Sequence, residues 1–274
     1  PDYRDLWTET RYKLNPVLKF MMQIRERKFI ANASFIITVS ENLKKIIEKK
    51  CDKEILIVKN GFDEVPFKKE NQDENKLTIS FAGAIYEWHP IKSVLDIISR
   101  LKSDQVQLVF FGLNNEIEIQ KTIENEFPYL ISQVTFHKRI PVQELLCEMS
   151  KAHFLLLFND YSILGTKIFN YLKTQRNILL CYTEDDKSKV LKENFFPDKT
   201  LLSYENNLQQ KLLSDLNTGL CIKNENELFD VLKQNLVHFH EFGTVHDYST
   251  NKDISFLSRD RQSLILKNKI LSLN

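Results

Sequence analysis

The run Ser162-Ile163-Leu164-Gly165-Thr166-Lys167-Ile168-Phe169-Asn170-Tyr171-Leu172 sets a glycine, a hydroxyl and an amine where a helix begins. Exposed backbone N–H groups and the positive end of the helix dipole attract an anion, Gly165 lets the main chain approach it closely, and Lys167 adds a full charge. The chemistry expected here is binding of a phosphate group by the main chain around Leu164, Gly165 and Thr166 together with the Lys167 ammonium.

His238-Phe239-His240, with His246 nearby, has the composition of a metal site but not its spacing. Residues two apart diverge on a helix and share a face only on a strand, and no acidic or cysteine partner stands at ligand spacing. Cys51, Cys147, Cys181 and Cys221 are widely separated and form no C-x-x-C pair, so neither a zinc site nor a thioredoxin-like site is expected. Cys147 and Cys181 lie in apolar runs and read as small core residues. A reducing, cytosolic setting fits this usage.

The elements that must position the phosphate loop follow from the hydrophobic pattern. From Leu77 to Ile222, short apolar runs alternate with amphipathic stretches, which predicts βαβ units and a parallel sheet. Strands are expected at Leu77–Ala82, Val106–Phe111, Val134–His137, His153–Phe158 and Ile178–Tyr182. Pro90 and Pro141 suit first helical positions, because proline lacks only an N–H that would be unpaired there. Glu225–Leu236 reads as a further amphipathic helix. Gly83, Gly112 and Gly165 each follow a strand or precede a helix, at the edge where open parallel sheets bind ligands; the plainer reading of each is a tight turn.

Before Leu77 the chain reads as a basic helix after Asn15-Pro16, a strand Phe35–Val39, a helix capped by Ser40 and a strand Ile55–Val58. Asn60-Gly61 marks a turn, and Glu64–Lys76 is polar, as a linker would be. The division expected is 1–63, 64–257 and a C-terminal helix at 258–274 that folds back on the first part.

With 274 residues, 42% hydrophobic and 27% charged, and a net charge of +1, the composition is that of an ordinary globular chain. It shows no global basic excess of the kind that coats nucleic acid, so no nucleic-acid partner is expected. No apolar run approaches the length needed to span a bilayer.

The order of these parts resembles the GT-B glycosyltransferases, of the retaining family 4 type. Asp2-Tyr3-Arg4-Asp5-Leu6-Trp7 is similar to a D-x-R-D-x-W segment near the end of their N-terminal domain. Thr38-Val39-Ser40-Glu41 and Asn60-Gly61-Phe62-Asp63 resemble the signposts that lead to the hinge. Phe81-Ala82-Gly83-Ala84-Ile85-Tyr86 and Thr166-Lys167-Ile168-Phe169-Asn170-Tyr171-Leu172 resemble the opening and the donor loop of the C-terminal domain.

The resemblance implies an α/β fold of Rossmann-like, parallel GT-B type, with most of an N-terminal, acceptor-side domain lying outside a chain that opens at Pro1. It implies a glycosyltransferase that moves a sugar from a UDP- or GDP-sugar to a glycan or lipid-linked acceptor in polysaccharide or lipopolysaccharide synthesis. Configuration would be retained, and neither a metal nor another cofactor would be needed. Lys167 and Lys92 would neutralise the leaving diphosphate. Gly83, Gly112, Gly165 and Thr166 would line the nucleotide site, with His89 in place of an arginine common after the first strand. His137, at a strand end, could stack on the base; its plainer reading is a partly buried strand-end histidine. Asn159 and Asp160 would border the sugar pocket.

Two departures stand out. Relatives carry glutamates eight residues apart around this loop, one near the donor sugar and one on the ribose hydroxyls, where this chain has Ser162 and Asn170. Asparagine still bonds a hydroxyl, but without the strength of a carboxylate. A non-catalytic nucleotide-sugar-binding module of the same fold is therefore the alternative.

Residues 11–28 carry Arg11, Lys13, Lys19, Arg25, Arg27 and Lys28 against Glu26, interleaved with apolar residues. Two readings follow: a helix packed apolar side inward with a solvated basic face, or peripheral contact with an anionic inner membrane face. The first is the expectation adopted.

Overall fold

The computed structural model describes residues 1–5, 7–8, 15–161, 164–193, 207–249 and 252–273. Ser162, Ile163 and residues 9–14 lie outside these, so the expectations placed on Ser162, Arg11 and Lys13 have no structural counterpart.

Among the described residues, nine parallel strands form two sheets. In the smaller, β1 (Asp2–Tyr3), β2 (Ile36–Thr38) and β3 (Ile55–Ile57) pair in that order. The larger contains β4 (Leu77–Ala82), β5 (Val106–Phe111), β6 (Val134–His137), β7 (Phe154–Phe158), β8 (Asn177–Cys181) and β9 (Leu220–Ile222). Its spatial order is β6-β5-β4-β7-β8-β9. The fold is thus mixed α/β with Rossmann-like parallel topology.

The central strands β7 and β8 read FLLLF and NILLC and are buried on both faces, as sheets covered on both sides require. One face packs against α3 (Ile91–Arg100), α4 (Glu116–Glu126) and α9 (Glu225–Phe242), through Val94, Ile98, Ile119, Leu228, Leu232 and Phe239. The opposite face meets α5 (Val142–Met149), α6 (Lys167–Thr174) and α8 (Leu208–Leu216), through Met149, Ile168, Phe169, Leu172 and Leu213. Alternate residues of one strand serve the two cores: Leu156 faces the first and Leu155 and Leu157 the second. Between β8 and α8 lies α7 (Asp186–Glu193).

Pro90 and Pro141 stand one position before their helices, as N-caps. Ser40 accepts a hydrogen bond from the Leu43 N–H at 3.2 Å and so caps α2 (Glu41–Glu48). The segment 63–76 has neither helix nor strand, yet it is strapped to the larger sheet. Arg176 donates to the Glu70 carbonyl at 2.7 Å, and the Glu70 N–H donates to Ser150 Oγ at 2.9 Å.

The C-terminal helix α10 (Arg259–Leu271) returns to the smaller sheet's side. Lys269 pairs with Glu54 at 2.6 Å, and Gln262 Oε1 accepts from the Lys59 N–H at 3.0 Å. A Cβ on Gly61 would fall against the carbonyl oxygen of Leu257, so this crossing demands glycine there.

The basic helix α1 (Pro16–Ala31) is capped by Asn15, as its sequence suggests, but it is turned the other way round. Its apolar residues Val17, Leu18, Phe20, Met21 and Ile24 are exposed, whereas Glu26 is buried. Glu26 accepts from Thr8 Oγ1 at 2.7 Å and pairs with Lys50 at 2.8 Å. The buried charge is thus paired, as burial requires, and the expectation of an inward apolar side is corrected.

Candidate functional site

Strand order reverses direction between β4 and β7: the chain proceeds outward from β4 to β5 and β6, then returns to place β7 on the other side of β4. In open parallel sheets the crevice beyond the carboxyl ends of such strands is where ligands bind. Gly83 leaves β4 at this point, Asp160 leaves β7, and α6 begins beside them.

Lys167, first residue of α6, reaches back across the crevice. Its ammonium donates to the Ala84 carbonyl at 2.7 Å and lies 4.1 Å from the centroid of the Phe81 ring. The side chain passes so close to Gly83 that a Cβ there would stand 3.1 Å from Lys167 Cε, and Gly83 has a φ of +88°. Burial lowers the Lys167 pKa to about 8, with Asp160 opposing the shift.

The start of α6 is left open. Among the described residues, Thr166 makes no side-chain capping bond, and apart from the chain neighbours of Gly165 no atom lies within 4 Å of where its Cβ would be. Uncapped N–H groups beside an ammonium form a site suited to phosphate oxygens. Asn170 follows one turn later, half-buried. Tyr171 anchors the helix, its hydroxyl accepting from the Ala82 N–H at 3.0 Å.

Leu164 is tied to the smaller sheet's side of the molecule. Its carbonyl accepts from Asn60 Nδ2 at 3.2 Å, and Asn60 Oδ1 accepts from Arg4 at 3.3 Å. Arg4 is held in turn by Asp2 at 2.9 Å. Three separate sequence segments therefore meet at one loop.

His89 is buried on the floor of the crevice, stacked on Phe158 with centroids 4.8 Å apart. Nδ1 accepts from the Tyr86 N–H at 3.2 Å, which leaves Nε2 to carry the proton toward Asp160 Oδ1, 3.4 Å away. Burial lowers the His89 pKa, with Asp160 resisting, so the ring is neutral near pH 7. Lys192, on α7, is fully enclosed; its ammonium lies 4.0 Å from Asp160 Oδ1 and 4.7 Å from the Tyr161 ring centroid. Burial lowers its pKa to about 8. Burial alone would raise the Asp160 carboxyl, but the adjacent His89 and the two lysine charges outweigh it and hold the group well below the usual carboxylate range.

Lys192 gave no signal in the sequence. A lysine next to last in a polar helix reads as surface, and only the tertiary fold encloses it. Asn159 is committed to structure: its amide donates to the Tyr182 carbonyl at 2.9 Å, and its oxygen accepts from the Tyr161 N–H at 3.1 Å.

Other expected site residues stand elsewhere. Lys92 is exposed and held by Glu126 at 2.7 Å; among the described residues no contact joins it to Lys167. Gly112 ends β5 with a φ of +62°, and Arg139 passes 3.3 Å from the place of a Cβ. His137 is exposed on the edge strand and stacks on Phe111 with centroids 4.9 Å apart. His238 and His240 lie on α9, where His238 stacks on His246 at 4.2 Å. Among the described residues, no helix is long and apolar enough to cross a membrane.

No family model and no curated protein sequence matches the chain. Solved structures do. Sucrose-phosphate synthase from Thermosynechococcus elongatus superposes with a TM-score of 0.68 at 12% identity over 99% of this chain and 67% of that one. The mixed α/β, Rossmann-like parallel fold of this chain is thus similar to that of GT-B glycosyltransferases. Anabaena HepE, solved with UDP-glucose, matches this chain with a TM-score of 0.64 at 12% identity over 92% of this chain and 68% of its own. A mutant of S. aureus TarM, solved with fondaparinux, alpha-GlcNAc-glycerol and UDP, matches with 0.57 at 15% identity, covering 93% of this chain and 46% of TarM. At such identities the likeness is one of fold, and the chain spans only about half of TarM's length.

Proposed function

We propose that the chain is the donor-binding part of a glycosyltransferase that takes a UDP- or GDP-sugar and transfers the sugar with retention to a glycan or lipid-linked acceptor. The carrying observation is the arrangement at the switch point: Lys167 lies across Gly83 onto Ala84, beside an open and uncapped helix start at Gly165 and Thr166. The diphosphate would sit on these amides with the Lys167 ammonium beside it, which stabilises the charge that develops as the nucleotide leaves. Asn170 would bond the ribose, and His137 and Gly112 would border the base. Lys92 would join only on release from Glu126. The UDP-glucose bound by HepE and the UDP bound by the TarM mutant support a nucleotide-sugar donor.

Residues 1–63 would belong to the acceptor-side domain and 64–257 to the nucleotide-sugar domain, with 258–274 crossing between them. The outward apolar face of α1, flanked by Lys19, Arg25, Arg27 and Lys28, supports a peripheral site on the cytoplasmic face of a membrane, where a lipid-linked acceptor would be met.

Calorimetric titration with UDP, GDP and ADP tests the donor reading. Saturable binding of a uridine or guanosine diphosphate is expected; binding of none would contradict it. Asn170, where relatives place an acid, favours a second reading as a binding module that has lost catalysis. Asn170→Glu distinguishes the two: regained sugar transfer from a native protein that binds but does not transfer would support the module.

A further inference from the structure

The acids expected at positions 162 and 170 are absent, yet the crevice has a carboxylate two residues before Ser162. Asp160 leaves β7 at the switch point with Oδ1 enclosed between His89 Nε2 at 3.4 Å and Lys192 Nζ at 4.0 Å. One quarter of its side chain remains accessible, against 2% for His89 and 1% for Lys192. With Oδ1 enclosed, the accessible part is the outer edge that carries Oδ2. Oδ1 is thus enclosed and flanked by His89 and Lys192, and Oδ2 is the oxygen that remains for a ligand.

The surroundings indicate what that oxygen takes. A carboxylate repels a phosphate and accepts from a hydroxyl. Two ammonium groups against one carboxylate, with His89 neutral, leave the cluster net positive, so Asp160 does not prevent a diphosphate from binding beside Lys167. A sugar attached to that diphosphate would bring its hydroxyls to the neighbouring acceptor oxygen.

We propose that Asp160 is the acidic group that accepts from a hydroxyl of the donor sugar, with His89 and Lys192 as positioning residues that fix its orientation. This rests on the nucleotide-sugar reading and supplies the contact that Ser162 and Asn170 lack. His89 directs Asp160 through a proton fixed on Nε2, because Nδ1 is occupied by the Tyr86 N–H. Lys192 holds the same oxygen from the far side and is too enclosed to touch the donor itself.

The test is calorimetric titration of UDP, UDP-glucose and UDP-N-acetylglucosamine, or their guanosine counterparts if GDP is the nucleotide bound, into wild type, Asp160→Asn and Lys192→Met. Asp160→Asn should weaken a nucleotide-sugar about tenfold and the bare diphosphate by less than about threefold, the difference expected for one charge-assisted bond to the sugar. Lys192→Met should weaken the nucleotide-sugar too, and should move the acid limb of its pH profile upward, since Asp160 loses a neighbouring cation. Equal losses for diphosphate and nucleotide-sugar, or an unmoved acid limb, would overturn the assignment.

Circular dichroism melts monitor folding. If Asp160→Asn unfolds, Asp160→Glu should fold, keep diphosphate affinity and change the preference between the two sugars; an unchanged preference would overturn the assignment. A wild type that binds the diphosphate but neither nucleotide-sugar overturns this inference alone. A wild type that binds no nucleotide overturns the parent reading as well.

Discussion

The Lys167 ammonium donates to the Ala84 carbonyl at 2.7 Å, joining the start of α6 to the segment that leaves β4. The bond spans the point at which the sheet's order reverses, and it holds a cation at the mouth of that crevice. Lys167 is therefore a crevice wall before any ligand arrives, and its charge is already oriented.

Gly83→Ala should damage both stability and binding. The new Cβ would press on Lys167 Cε at 3.1 Å, and a φ of +88° strains any residue with a side chain. A loss of about 1–3 kcal/mol in urea unfolding is expected, with weakened UDP binding because Lys167 must move aside. A variant as stable as wild type would count against the tight packing of these two residues.

Proton linkage should be visible in binding. Lys167 and Lys192 have their pKa values lowered to about 8, and a bound anion favours their charged forms. UDP affinity should therefore fall as pH rises from 7 to about 9, with protons taken up on binding. For stability the sign is opposite to that of a lysine with a raised pKa: the unfolded chain binds more protons between about 8 and 10.5, so the cost of burying each charge fades as pH rises through that window. The stability of Lys192→Met relative to wild type should decline across it. Urea titrations of both proteins at several pH values would measure this.

Asn60→Ala removes the bridge from Arg4 to the Leu164 carbonyl. A loss of about 1 kcal/mol in UDP affinity is expected, as for one hydrogen bond that positions a loop. Calorimetry on this variant and on Arg4→Ala should give losses that do not add, because both cut one chain of contacts.

Anionic vesicles should capture the protein through α1. Phe20→Glu with Ile24→Glu should abolish sedimentation with phosphatidylglycerol vesicles, and raised salt should weaken the wild type. Capture that survives these changes would place the contact elsewhere.

Much of the fold was legible from periodicity. Leu77–Ala82, Val106–Phe111 and Val134–His137 match their strands residue for residue, because each is a short run rich in β-branched and aromatic residues. Ser40 declared its helix by its hydroxyl. The short strands Asp2–Tyr3 and Leu220–Ile222 left too little pattern to find. The orientation of α1 was hidden because the burial of Glu26 goes with a partner, Lys50, twenty-four residues away. The same holds at the crevice. Lys167 could be found from its helix start, but the enclosure of Lys192 and the pairing of Lys92 with Glu126 are tertiary facts that no local spacing encodes.

The most direct measurement is titration of UDP and uridine into wild type and Lys167→Ala. A diphosphate site at the start of α6 predicts saturable UDP binding, far weaker uridine binding, and a loss of about tenfold or more for UDP alone in the variant. Equal binding of UDP and uridine, or a variant that binds UDP as wild type does, would contradict it.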